Sequence, residues 1–183
     1  MKLYHGTDNR SIEQFSLKYC RDNLDFGKGV YFTRNFNQAL EWSCKKNGEG
    51  AVYECDIDLS HLKIMNSSFE ENFWPAVCLC RTASEDIARD IIDGFEEADI
   101  VEGLMLDGRI PEFGNLANKY IAGDISADEF YNKAKKFDNS KNQYCFKTEE
   151  SINKKNESLV KVYYTRKDKE KCYEWWEKEA NEL

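Results

Sequence analysis

Between Gly50 and Asp58 the chain alternates: Ala51, Tyr53, Cys55 and Ile57 fall on one face, Glu54 and Asp56 on the other. A period of two predicts a half-buried β-strand. No other segment constrains the fold as strongly, because a lone strand leaves its edges and its apolar face uncovered. The rest of the chain must supply both partners and a covering layer. Short strands are predicted at Lys2–Tyr4, running into a His5-Gly6-Thr7 turn, and at Gly29–Phe32, Leu62–Met65, Ala98–Met105, Gln143–Lys147 and Leu159–Thr165. Helical patterns lie among them. Asn35 is placed to cap a helix over Phe36–Lys46, with Ala39, Leu40, Trp42 and Ser43 facing inward. Phe69–Ile92 reads as mostly helical, and Thr148-Glu149-Glu150 as the cap of a short helical turn. Ser126-Ala127-Asp128-Glu129 is a capping box opening a helix through Phe137. Asp168–Asn181 reads as a charged helix with a Trp175-Trp176 face.

Strands and helices in irregular order indicate an α+β fold. The regular alternation of a doubly wound sheet is missing, and so is its Gly-x-Gly-x-x-Gly turn. With 183 residues, two prolines and no low-complexity linker, residues 1–183 read as one domain. The net charge of -8 disfavours general nucleic-acid binding. Seven cysteines at irregular spacing and two histidines make no metal site, and fit reduced thiols in a cytoplasmic protein. Neither a signal peptide nor an 18-residue apolar stretch is present, so no membrane partner is expected.

Three short segments carry candidate chemistry: Leu3-Tyr4-His5-Gly6-Thr7, Asp25-Phe26-Gly27-Lys28-Gly29-Val30-Tyr31-Phe32-Thr33 and Asn142-Gln143-Tyr144-Cys145-Phe146. Each alone has an ordinary explanation as turn, core or strand edge. Together they resemble the poly(ADP-ribose) polymerase and diphtheria-toxin type of ADP-ribosyltransferase. In that type a His-Gly-Ser/Thr strand end precedes a glycine-flanked tyrosine by about two dozen residues, and a second aromatic follows the tyrosine by eleven. Trp42 stands at that last position. Gln38-Ala39, Asp99-Ile100-Val101-Glu102-Gly103 and Gln143-Tyr144-Cys145-Phe146-Lys147-Thr148 extend the match. This longer pattern resembles a bacterial family of unknown function, domain family 3990, assigned to the same fold.

The resemblance implies an ADP-ribosyltransferase-like fold: two small packed antiparallel sheets forming an NAD cleft, with flanking helices. It implies NAD as substrate, cleaved at its nicotinamide–ribose bond, with ADP-ribose passed to a macromolecule, in the first instance a protein. The chain could serve as a toxin or effector delivered to a target cell. NAD hydrolysis and simple NAD or ADP-ribose binding are the alternatives. His5, Tyr31 and Gln143 take the catalytic positions; His5, Gly6, Thr7, Arg10, Gly29, Tyr31, Trp42 and Gln143 take the NAD-binding ones.

The chemistry suits these residue types. Breaking the N-glycosidic bond develops positive charge on the ribose while nicotinamide leaves neutral. Tyr31 and Trp42 suit a flat ring. Gly6 suits close backbone approach to a carboxamide, Thr7 offers one more hydrogen bond, and His5 can bond a ribose hydroxyl. Arg10, Arg21 and Lys28 are cations near the glycine-rich tract that suit a pyrophosphate. The third catalytic position is usually glutamate and here is Gln143. Losing a charge aimed at a developing cation costs roughly 2–4 kcal/mol by analogy with a lost oxyanion-hole donor. Polymer elongation is therefore not expected. Glu149 and Glu150 are out of register to replace it, and Asp99 and Asp107 read as strand-end residues or contacts at a cleft mouth. Acceptor choice is expected in loops at Asn66–Glu71 and Arg109–Asn115.

Overall fold

The computed structural model describes residues 1–46, 48–66, 95–105, 111–134, 142–167 and 173–179. It divides into two compact units. The first holds Met1–Ser16, Val30–Leu62 and Glu149–Leu183; the second holds Leu17–Gly29 and Lys63–Thr148. The fold is α+β with two small sheets, as expected.

In the first unit, β1 (Lys2–Thr7), β2 (Val30–Phe32), α1 (Phe36–Ser43) and β3 (Glu49–Asp56) come first in the chain. In the second unit the elements are β4 (Ile64–Asn66), β5 (Ile100–Leu104), α2 (Pro111–Ile121), α3 (Ala127–Ala134) and β6 (Asn142–Phe146). The first unit then closes with α4 (Glu149–Glu157), β7 (Leu159–Lys167) and β8 (Tyr173–Glu179).

The first unit is built on an antiparallel sheet in the order β1-β3-β7-β8. β3 is the alternating strand of the sequence, and it is buried on both faces rather than one. The reason is Glu54. Its carboxylate accepts from the Tyr163 hydroxyl at 2.6 Å and pairs with Lys2 at 2.6 Å, so an acidic residue sits inside without an unmet charge. Burial and that bond to Glu54 push the Tyr163 hydroxyl pKa up. α1 packs Ala39 and Leu40 on Val52 and Tyr163, with Tyr4 and Phe36 at the margin. Asn35 caps it by accepting from the Gln38 N–H at 3.3 Å. The helix ends at Ser43, short of Lys46, and its fourth buried residue is Gln38; Trp42 is only half-buried.

β8 replaces the helix expected over Asp168–Asn181. Trp175 makes edge-on contacts with Phe36 (5.4 Å) and Tyr163 (5.2 Å), while the next residue, Trp176, meets Tyr164 on the opposite face. Consecutive tryptophans used on opposite faces is a strand property, and pairing with β7 outweighs the charge pattern that suggested a helix. β1 likewise runs straight through Gly6 and Thr7, where a turn was expected, because both pair with β3.

In the second unit β6, β5 and β4 lie side by side. β5 and β6 are antiparallel, but β4 and β5 are parallel, so this sheet is mixed and not purely antiparallel. Asp99 ties its strand ends, accepting from the Lys63 N–H at 2.8 Å and from the Thr148 hydroxyl at 2.7 Å. α2 starts at Pro111, within the segment expected to be a loop, with proline suited to a first helical turn. Ser126 caps α3 through the Glu129 N–H at 3.2 Å, as the capping box predicts. Expectations at residues 67–92, at Asp107, at residues 109–110 and at residues 135–137 fall outside the described residues.

Candidate functional site

The first unit holds His5, Gly6, Thr7, Arg10, Tyr31 and Trp42. β1 decides how their backbone is used. Tyr4 exchanges both of its backbone bonds with Thr33, at 2.8 and 2.9 Å. Antiparallel alternation therefore directs the amides of Tyr4 and Gly6 away from β3, and those of Leu3, His5 and Thr7 toward it. A continued ladder would next join Gly6 to Tyr31. Instead the Tyr31 carbonyl accepts from His5 Nδ1–H at 2.7 Å. The Gly6 N–H and C=O are left side by side on the open edge of β1, with no partner among the described residues.

That bond also fixes the histidine. A carbonyl only accepts, so Nδ1 carries the hydrogen and Nε2 presents a lone pair. The ring lies 4.9 Å edge-on to Phe15 and 5.4 Å from Phe32. This apolar surrounding lowers its pKa to about 4, against the opposing effect of the bond to Tyr31; the nearby Lys155 ammonium lowers it further. His5 is thus a neutral acceptor at neutral pH, suited to a hydroxyl and not to an anion.

Gly6 has a structural duty besides. A Cβ there would lie 1.8 Å from the Ala39 carbonyl oxygen, so glycine is required for α1 to seat on β1. The Thr7 hydroxyl accepts from the Asn9 N–H at 3.2 Å. Arg10 is committed to the fold: Nη2 donates to the Thr165 carbonyl at 2.7 Å, Nε to the Gly50 carbonyl at 3.2 Å, and Nη1 pairs with Glu49 at 3.3 Å. A pyrophosphate would have to compete with all three. The Trp42 ring, at the end of α1, has no ring contact or hydrogen bond among the described residues, which leaves its half-buried face available for stacking.

The second unit holds Gly29 and Gln143. The segment Asp25–Gly29 lies along one face of β6, the face bearing Gln143 and Cys145 and continued by Lys147. Gln143 Nε2 donates to Asp25 Oδ2 at 2.6 Å. Cys145 Sγ approaches the Lys28 carbonyl at 4.0 Å, and a Cβ on Gly29 would lie 2.3 Å from that sulfur. Lys147 Nζ donates to the Phe26 carbonyl. Gly27, with φ of 73°, makes the turn between these contacts. Gly29 is therefore needed for packing on β6. Two sequence motifs more than a hundred residues apart form one assembly, and Asp25, unassigned from sequence, is its buried charge.

The profile of a family described as a protein of unknown function, DUF3990, matches residues 1–157. The chain belongs to DUF3990. No curated protein and no solved structure matches it. The DUF3990 match covers every candidate site residue read from the sequence and ends at Glu157, the last residue of α4, so β7 and β8 lie beyond it.

Sequence reasoning also passed over Lys155, which lies in the DUF3990 match and is 1% exposed. Its ammonium sits 2.9 Å above the centre of the Phe15 ring. Burial lowers its pKa to about 8, only partly offset by the Cys55 thiol beside it, and burial pushes that thiol up to about 11. The available signal was helical spacing: Ser151, Ile152 and Lys155 share one face of α4, and all three are buried. Among the described residues there is no cluster of metal-binding side chains and no helix long and apolar enough to cross a membrane.

Proposed function

We propose that this chain binds NAD and transfers its ADP-ribose to a macromolecule, in the first instance a protein. The observation that carries the reading is the open edge at Gly6. One N–H and one C=O point outward together, matching the C=O and NH2 of a carboxamide. Beside them, His5 Nε2 accepts a hydroxyl hydrogen, and Tyr31 and Trp42 supply aromatic faces for a flat ring. The resemblance to ADP-ribosyltransferases, taken by itself, assigns Gln143 a ribose hydroxyl.

In the reaction the nicotinamide–ribose C–N bond breaks and nicotinamide leaves with the bonding pair. The acceptor's nucleophilic atom bonds to the ribose C1 and gives up its proton. The protein's part is to hold the carboxamide, fix the hydroxyls and favour the cationic ribose over the ground state.

The test is incubation with NAD labelled on its adenylate phosphate, with and without cell lysate. The expected result is label on a macromolecule with matching nicotinamide release, both lost in His5→Ala. Nicotinamide release with no labelled macromolecule makes water the acceptor. Absence of both NAD binding and nicotinamide release refutes the reading.

A further inference from the structure

We infer that Asp25 is a positioning residue for sugar recognition: its carboxylate takes the amide NH2 of Gln143 and so turns Gln143 Oε1 toward a ligand hydroxyl. The inference rests on the NAD reading and names the group that completes it.

Three observations support it. Asp25 and Gln143 are each 3% exposed, so their contact is shielded from water. The Nε2–Oδ2 distance of 2.6 Å is that of a short, charge-assisted bond. And Gln143 Oε1 has no donor among the described residues. A terminal amide ordinarily has two nearly equivalent orientations. Here one is excluded, because a carboxylate has no hydrogen to give and flipping the amide would set oxygen against oxygen. Oε1 is thereby fixed on the side away from Asp25. A buried carbonyl oxygen without a donor is uncommon in folded chains, and a bound ligand is a natural source of one.

The pair also defines the ligand group. Asp25 repels phosphates and carboxylates, and Oε1 cannot donate, so the position takes a hydrogen-bond donor, which on the ribose of NAD is a hydroxyl. Polarisation of the amide by the carboxylate makes Oε1 a stronger acceptor than an isolated glutamine. The negative charge that the usual glutamate would carry has moved one side chain back. It follows that Gln143→Glu alone does not simply restore that glutamate. It would set two buried carboxylates at hydrogen-bonding distance, able to persist only by sharing a proton.

The experiment measures binding of NAD, and of NAD analogues each lacking one nicotinamide-ribose hydroxyl, by calorimetry on the full chain. Wild type is expected to favour NAD over at least one analogue by about tenfold, the worth of one good hydrogen bond. Asp25→Asn is expected to reduce that preference to about twofold or less while the chain stays folded. The double variant Asp25→Asn/Gln143→Glu exchanges acceptor and donor, keeps one charge and one hydrogen bond, and is expected to restore the preference. This rescue separates positioning from a merely structural role. If Asp25→Asn does not fold, the double variant decides alone: a restored preference supports the inference and a lost one overturns it. An unchanged preference in folded Asp25→Asn overturns the inference and leaves the NAD reading standing. Failure of wild type to bind NAD overturns both.

Discussion

Lys155→Met should make the protein more stable at pH 7. The ammonium is buried beside the Cys55 thiol and the rings of Phe15 and Phe32, and its pKa falls from 10.5 to about 8. At about 1.36 kcal/mol for each pH unit, holding that proton in the folded state costs about 3 kcal/mol. The contact with Phe15 returns about 1–2 kcal/mol of this. Methionine is close in length, buries no charge and recovers part of the ring contact through its sulfur. A net gain of about 2 kcal/mol is expected in urea unfolding at pH 7. The sign with pH is fixed. Below pH 8 the folded and unfolded chains both keep the proton, so the cost is fully present. Between pH 8 and 10.5 the folded chain releases it first, and wild type gains on the variant. The advantage of Lys155→Met should therefore hold up to about pH 8 and shrink from there to about pH 10. A variant clearly less stable than wild type at pH 7, or an advantage that grows with pH, refutes the reasoning.

His5 gives a second titration. Its pKa falls from 6.5 to about 4, so the unfolded chain takes up the proton first as pH drops, and up to about 3 kcal/mol of stability should be lost between pH 6.5 and 4. His5→Asn keeps a donor for the Tyr31 carbonyl and should flatten that part of the curve in thermal melts across the range. Gly6→Ala places a methyl 1.8 Å from the Ala39 carbonyl oxygen, backbone that cannot move aside without unseating α1. It should cost about 3 kcal/mol or more, read as a lowered urea midpoint; a wild-type midpoint would show that α1 does not pin β1.

The sequence was most legible where local chemistry is self-sufficient. Asn35 and Ser126 announced their helices because a cap needs only its own first turn, and the apolar cores of β2, β5 and β6 were visible as short runs. Errors came where a distant partner decides the state. Glu54 looked solvated until Tyr163, more than a hundred residues on, supplied its donor. Tyr173–Glu179 looked helical by charge until β7 offered it an edge. Gly6 and Thr7 looked like a turn because a glycine there weakens the local strand signal, although β3 holds both in register. Motif and spacing singled out His5, Tyr31, Trp42 and Gln143 as candidates. Asp25 stood inside one of the motifs without a role, because its meaning depends on which side chain of β6 it meets.

The bond from His5 to the Tyr31 carbonyl separates two kinds of information at neighbouring positions. What His5 grips at residue 31 is backbone, present whatever side chain stands there. Exchanging the Tyr31 ring for another leaves that carbonyl in place for His5. Exchanging His5 changes an acceptor and, with it, the strand pairing that keeps Gly6 exposed. Position 31 therefore serves this bond through its backbone, and position 5 through its side chain.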